Sequence, residues 1–173
     1  MGTISYIWKP AHESAYTHGR KLPISSIILH SSCGHEDGDL IALTGGDPGH
    51  PVSSHWYVDK SGTIFHLVNN SDTAWHAGTV KDPKYSNAAS IGIEQEHLDG
   101  EEEWPLIQIE ATARLCVALR QRYGNIEIAH HADVAIPHGR KTDPMFFPSD
   151  VFWDAYSDAA KENWTFQQVQ EQA

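Results

Sequence analysis

The sequence predicts a single α/β domain built on a central mixed β-sheet flanked by helices. Three observations carry that expectation. A chain of 173 residues fits one domain with one core. Hydrophobic residues make up 40% and aromatics 10%, enough to bury a core and unlike a disordered chain. Short apolar runs of strand character are followed or separated by segments with helical spacing, without an internal repeat or a linker to a second domain.

Taken in order, residues 1–22 read as an N-terminal extended arm, 23–163 as the folded domain and 164–173 as a polar tail ending in QQVQEQA. ISSIILH (24–30) is a short apolar run ending on a polar residue, the pattern of a buried strand. Residues 34–51 are rich in glycine, aspartate and proline and read as turns, with one helical turn around Leu40–Leu43. SHWYVD (54–59), KSG and TIFHLV (63–68) predict a β-hairpin turning at Ser61-Gly62. Residues 69–87 read mostly as loop. SIGIEQEHL (90–98) reads as a strand, Ile91 and Ile93 alternating with Gly92 and Glu94. The best helix runs over 107–123: Ile109, Ala113, Cys116, Leu119 (or Arg120) and Tyr123 share one face, and Gly124 is a stop signal. IEIAH (126–130) predicts a strand, 131–144 a loop, and 149–163 a second helix carrying Val151, Phe152, Ala155 and Tyr156.

Charge excludes some functions. Twelve Lys and Arg stand against 23 Asp and Glu, a formal net charge of −11, which argues against nucleic-acid binding and against long-range attraction to anionic walls or membranes. Glu94, Glu96, Asp99, Glu101, Glu102 and Glu103 crowd into ten residues, with 101–103 read as a solvated loop. No apolar run is long enough to span a bilayer, so no membrane insertion is expected. The first residues lack the basic start and apolar block of a secretory signal, so the expectation is synthesis in a cytoplasm. Two cysteines, Cys33 and Cys116, suggest no disulfide framework; Cys116 belongs to the helix core, and Cys33 lies three residues past His30, where an extra ligand role is open.

Twelve histidines are the compositional signal that matters, because imidazole is the commonest metal ligand. His30 ends a buried strand, His131 follows another, and Asp143 lies twelve residues later. Strand ends and the loops after them are where sheet proteins place catalytic groups. Two imidazoles and a carboxylate form a catalytic zinc set with the fourth position open. Spacing alone leaves the alternative of unrelated structural histidines open.

Five motifs in order resolve the choice. IILHSS, VSSHWYVDKSGTIFHLV, AWHAG, NAASIGIEQE and HADVAIPHGRKTDP cover most of the chain from Ile24 to Trp153. Together they resemble the type 2 zinc N-acetylmuramoyl-L-alanine amidases, which include phage endolysins, autolysins, cytoplasmic anhydromuropeptide amidases and peptidoglycan recognition proteins. The resemblance implies that 23–163 form an amidase domain acting on peptidoglycan or a muropeptide, and a monomer is expected. It implies Zn²⁺ held by His30, His131 and Asp143, the last standing where some members have cysteine. It places Glu94 on a glutamate proposed as general base, and Lys141 on a lysine assisting the polarised carbonyl. Small phage amidases carry a tyrosine where this chain has Ser54; in the family tyrosine and glutamate substitute for one another, so Glu94 fits its loss.

Trp75 and His76, of AWHAG, are expected to shape the substrate groove and Ser54 to contact substrate, with core packing the alternative for Trp75. Asn87 either binds substrate or caps a turn, and His55 lies near Ser54 on the hairpin. The chain departs from the family in one loop, usually H-x-D-I-x-P-G-R-K-T-D-P. Here Ile136 and His138 are additional, which leaves His130 and His138 as alternatives to His131. The sequence reading favours a phage-type endolysin that reaches the wall after release, with a cytoplasmic anhydromuropeptide amidase and a non-catalytic peptidoglycan-binding module as alternatives.

Overall fold

The computed structural model describes residues 1–45, 49, 51–98, 100 and 103–170. Nine strands lie among them: β1 (Gly2–Trp8), β2 (Tyr16–Thr17), β3 (Ser26–Leu29), β4 (Trp56–Val58), β5 (Ile64–His66), β6 (Thr73–Ala74), β7 (Ser90–Gln95), β8 (Glu127–His130) and β9 (Trp164–Val169). The helices are α1 (Glu36–Leu43), α2 (Leu106–Tyr123), the single turn α3 (His131–Val134) and α4 (Ser149–Ala159). Seven strands form one mixed sheet in the order β8-β3-β7-β4-β5-β1-β9, and β2 pairs with β6 beside it. β8, β3, β7 and β4 run parallel, the β4–β5 hairpin reverses the direction, and β1 and β9 continue parallel to β5. This is the expected α/β domain.

The alternation of side chains along the central strands sets what each face carries. Ile27 and Leu29 of β3 and Ile91 and Ile93 of β7 join Ile109, Ala113, Cys116 and Leu119 of α2 and Phe152 of α4 in the main core. Each large aliphatic side chain fully buried there contributes roughly 1.5–3 kcal/mol. The residues between them point the other way: Ile28 packs against Tyr85 and Val134, and Tyr57 and Phe65 pack beneath Leu40 and Leu43 of α1. His30, Gly92 and Glu94 belong by parity to this second face. α2 ends where the sequence predicts, on Gly124 at φ +90°, a conformation that costs glycine nothing.

Both ends of the chain differ from the sequence reading. Residues 2–8 are not an arm: β1 lies between β5 and β9 and pairs with β9 over six positions, Gly2–Trp164 to Ile7–Val169. The segment 164–169 is therefore sheet edge, with Trp164 and Phe166 packed on the main core. The period-two signal was present in Trp164/Phe166 and Ile4/Tyr6, but its pairing partner lies at the opposite end of the sequence. The helical turn near Leu40 is a full helix, and His131–Val134 is a helical turn rather than loop. Asp99, Glu101, Glu102, His50 and residues 171–173 lie outside the described residues.

Candidate active site

Three adjacent strands, edge strand β8 and its neighbours β3 and β7, deliver the site. His30 follows β3, Glu94 lies on β7, and His131 follows β8, all at the same end of the parallel part of the sheet. The strand alternation also decides among the neighbouring histidines. On β8, Ile128 packs towards the α2 core and Ala129 towards the opposite side. His130 keeps the parity of Ile128, its ring lying against Phe147 at 5.2 Å between centroids. His131 is turned to the other face and is 2% exposed. His138 is exposed on the surface of the loop.

The atoms that converge are His30 Nδ1, His131 Nδ1 and Asp143 Oδ2. The two nitrogens lie 3.0 Å apart, and the oxygen is 3.2 Å from His30 and 3.0 Å from His131. All three residues are buried, and among the described residues this is the group able to hold a metal ion. Zinc bonds of 2.0–2.2 Å at tetrahedral angles set donors roughly 3.3 Å apart, so this triangle fits with little adjustment. The protonation states also fit. Burial lowers the His30 imidazole to about 4, against the partly offsetting pull of Asp143, so its ring is neutral at pH 7. Burial pushes the Asp143 carboxyl up, but the adjacent His131 and His30 rings more than offset this and hold it below the usual carboxylate range. Neutral imidazoles and an ionised carboxylate are what a divalent cation requires.

The rest of the site surrounds this triangle. Glu94 Oε1 is 3.8 Å from His30 Nδ1. Lys141 is exposed at the rim, and its positive charge opposes protonation of His30. A cavity of about 330 Å³ opens over the triangle, with Trp75, His76, Glu94 and Lys141 in its walls. Trp75 is half-exposed wall rather than core; its indole N–H donates to Thr17 Oγ1 at 3.0 Å, and it also borders a second cavity of about 460 Å³.

A family model described as N-acetylmuramoyl-L-alanine amidase matches residues 20–146. The chain belongs to that family. Among curated proteins, it is 30% identical over 118 residues to the 1,6-anhydro-N-acetylmuramyl-L-alanine amidase AmpD of Haemophilus influenzae; the match covers 64% of this chain and 59% of that relative. Among solved structures, an AmpD crystal structure superposes with a TM-score of 0.75 at 24% identity, covering 87% of this chain and 93% of the other. AmpDH3 from Pseudomonas aeruginosa, solved in complex with anhydromuramic pentapeptide, gives 0.66 at 27% identity, covering 80% and 61%.

Within this amidase-family domain, not every residue singled out from sequence reaches the cavity. Ser54 is fully buried, and its hydroxyl is directed to the carbonyls of Trp56 (3.0 Å) and Gly92 (2.8 Å). The structure therefore does not bring it to the substrate side. Asn87 Oδ1 accepts from the backbone N–H groups of His76 (3.1 Å) and Ala77 (2.8 Å), which shapes the AWHAG turn; the residue also borders the second cavity. Cys33 is exposed and lines the cavity but is not among the converging donors, and Cys116 is buried in the core, as expected. Sequence reasoning missed Asp39, which borders the cavity from α1 and accepts from the Tyr57 hydroxyl at 2.8 Å. It also missed Arg140, whose guanidinium donates to the carbonyls of Ala77 (3.1 Å) and Thr79 (2.8 Å). Arg140 was visible beside Lys141 in RKTDP; Asp39 had no local signal because its helix read as a single turn.

No helix of the described residues is long and apolar enough to cross a membrane.

Proposed function

We propose that this protein is a zinc-dependent N-acetylmuramoyl-L-alanine amidase that hydrolyses the amide between the lactyl group of N-acetylmuramic acid and L-alanine. The observation that carries this reading is the buried His30–His131–Asp143 triangle, with donors 3.0–3.2 Å apart, beneath a cavity walled by Glu94 and Lys141. Bound zinc supplies Lewis acidity, polarising an amide carbonyl and making water a stronger nucleophile at neutral pH. Glu94 takes the proton of the attacking water and returns it to the departing amine of L-alanine. Lys141 sets its ammonium beside the oxygen on which negative charge grows. Trp75 offers an aromatic face to the sugar or the peptide, and His76 and Asn87 hold the turn that carries it.

The substrate reading is a small anhydromuropeptide rather than the intact wall. The curated relative is named for a 1,6-anhydro-N-acetylmuramyl substrate, and the Pseudomonas structure holds an anhydromuramic pentapeptide. A net charge of −11 gives no attraction to an anionic wall, which moves the preference away from an endolysin. The protein is proposed to act as a monomer. Mass spectrometry of digests of anhydromuropeptides and of purified sacculi tests both levels. Intact stem peptides with new L-alanine amino termini establish amidase cleavage, and new reducing sugar ends refute it. Faster release from sacculi than from anhydromuropeptides would restore the endolysin reading. Stoichiometric zinc with binding but no release would favour a peptidoglycan-binding module.

A further inference from the structure

The least explained residue near the triangle is His76. It borders the cavity, yet both ring nitrogens are engaged on the protein side. Nδ1 lies 3.0 Å from His30 Nε2, and Nε2 lies 3.2 Å from Ser90 Oγ. Ser90 in turn is 2.7 Å from the carbonyl of Ser86 and 3.3 Å from that of Tyr85.

These contacts have a direction. A backbone carbonyl can only accept, and Ser90 has one hydroxyl hydrogen, which goes to Ser86 O, the closer of two acceptor-only groups. Ser90 Oγ then meets the His76 ring with a lone pair, so His76 Nε2 carries the hydrogen. The other nitrogen of a neutral imidazole is an acceptor, so His76 Nδ1 accepts from His30 Nε2–H. His30 Nδ1 is left bare, facing His131 Nδ1 and Asp143 Oδ2. The opposite tautomer of His30 would donate from Nδ1 to Asp143 and block the position a metal needs. His131 is fixed in the same sense by a shorter route, its Nε2 donating to Ala77 O at 3.0 Å.

The backbone makes room for this arrangement. The His76 ring lies against Gly92 of β7, where a Cβ would stand 2.5 Å from Cγ and 2.7 Å from Cδ2 and Nδ1. Glycine is required at 92 by that close approach, and the IGIE motif thereby serves the ligand His30 as well as carrying Glu94.

We infer that His76 is a positioning residue: with Ser90 it forms a one-way hydrogen-bond chain that locks His30 in the tautomer presenting Nδ1 to the metal. The inference rests on the metal reading above, but its first test does not. In zinc-free protein, long-range ¹H–¹⁵N NMR of the imidazoles is expected to show His30 and His76 both as Nε2–H tautomers. Partners of this kind are worth about 10–100-fold in metal affinity, so His76→Phe, which fills the space without accepting, is expected to weaken zinc binding by that factor. It should also populate the Nδ1–H form of His30. His76→Gln, whose amide oxygen can accept from His30, should recover affinity to within about threefold of wild type. Ser90→Ala, a smaller change, should weaken binding in the same direction and guards against misfolding of the Phe variant. An Nδ1–H tautomer of His30 in the wild type overturns the inference. So does unchanged zinc affinity in both His76→Phe and Ser90→Ala, or failure of His76→Gln to improve on His76→Phe. Wild-type protein with the Nε2–H tautomers but no zinc affinity would overturn the metal reading and leave the chain standing.

Discussion

The lengthened loop between His131 and Asp143 gives the sharpest test of the site. Three histidines, at 130, 131 and 138, compete in sequence for one ligand position, and the geometry selects one. His131 Nδ1 is 3.0 Å from both His30 Nδ1 and Asp143 Oδ2, His130 is turned against Phe147, and His138 is at the surface. Structural zinc sites bind with about 10–16 kcal/mol over four ligands, so removing one protein ligand is expected to cost roughly 2.5–4 kcal/mol, about 10²–10³-fold in Kd. His131→Ala should therefore lose zinc to a chromophoric chelator at a concentration that leaves the wild type loaded. His138→Ala and His130→Ala should track the wild type to within about twofold, because neither supplies a converging donor. Circular dichroism on each variant separates ligand loss from unfolding. If His138→Ala loses zinc while His131→Ala keeps it, the geometric assignment is refuted.

Four further outcomes follow from the same contacts. Glu94→Gln removes the base and keeps the shape, so kcat should fall about 10²–10⁴-fold with little change in KM; near-wild-type turnover at full zinc loading would remove Glu94 from proton transfer. Lys141→Ala should retain zinc and lose about 10²–10³-fold in kcat, and wild-type rates in zinc-replete protein would show that its charge does not serve the transition state. Ser54→Ala should cost about 1–2 kcal/mol in urea unfolding, through the carbonyls of Trp56 and Gly92 that lose a donor, without altering KM; a KM effect at unchanged stability would return Ser54 to the substrate side. Ending the chain after Asn163 removes β9 and the packing of Trp164 and Phe166, and should lower stability by roughly 3 kcal/mol; an unchanged urea midpoint would show that the strand contributes nothing.

What the sequence made legible was local. Runs such as SIIL and SIGI are strands because their residues bury both faces, and α2 announces itself by spacing and a terminal glycine. The three converging donors were readable only because ordered motifs tied them together; His30 and His131 come into contact through strands β3 and β8, paired side by side across 101 positions of sequence. The unread parts depend on such distant pairing without a motif. β1 and β9 stabilise each other from opposite ends of the chain, so each alone looks like a polar extension. Ser54 looked like a groove residue by position in a motif, but its direction is set by the carbonyls it meets. The engagement of His76 with His30 and Ser90 depends on the missing side chain at Gly92, which no reading of His76 alone could supply.

The same contacts explain how two extra residues are tolerated next to the donor triangle. Ala132 N donates to Asp143 O at 2.9 Å, so the loop is closed at its base immediately beside the ligands. Further out, Val80 bridges Ala135, Lys81 N donates to Val134 O at 2.9 Å, and Ile136 N donates to Thr79 O at 3.0 Å, fastening the first half of the loop to the segment after AWHAG. Arg140 fastens the second half through Ala77 O and Thr79 O, against Gly78, where a Cβ would stand 3.3 Å from the guanidinium. Ile136 closes the first fastening through its backbone while its side chain is exposed, and His138 falls between the two fastenings and is exposed. Added length there bulges into solvent and does not reach the ligand-to-ligand distances, which are set at the base. The AWHAG turn is thus a template for the ligand loop as well as a wall of the cavity. A substitution at Ala77–Thr79 that moved those carbonyls would act on the donor triangle through His131 and Arg140.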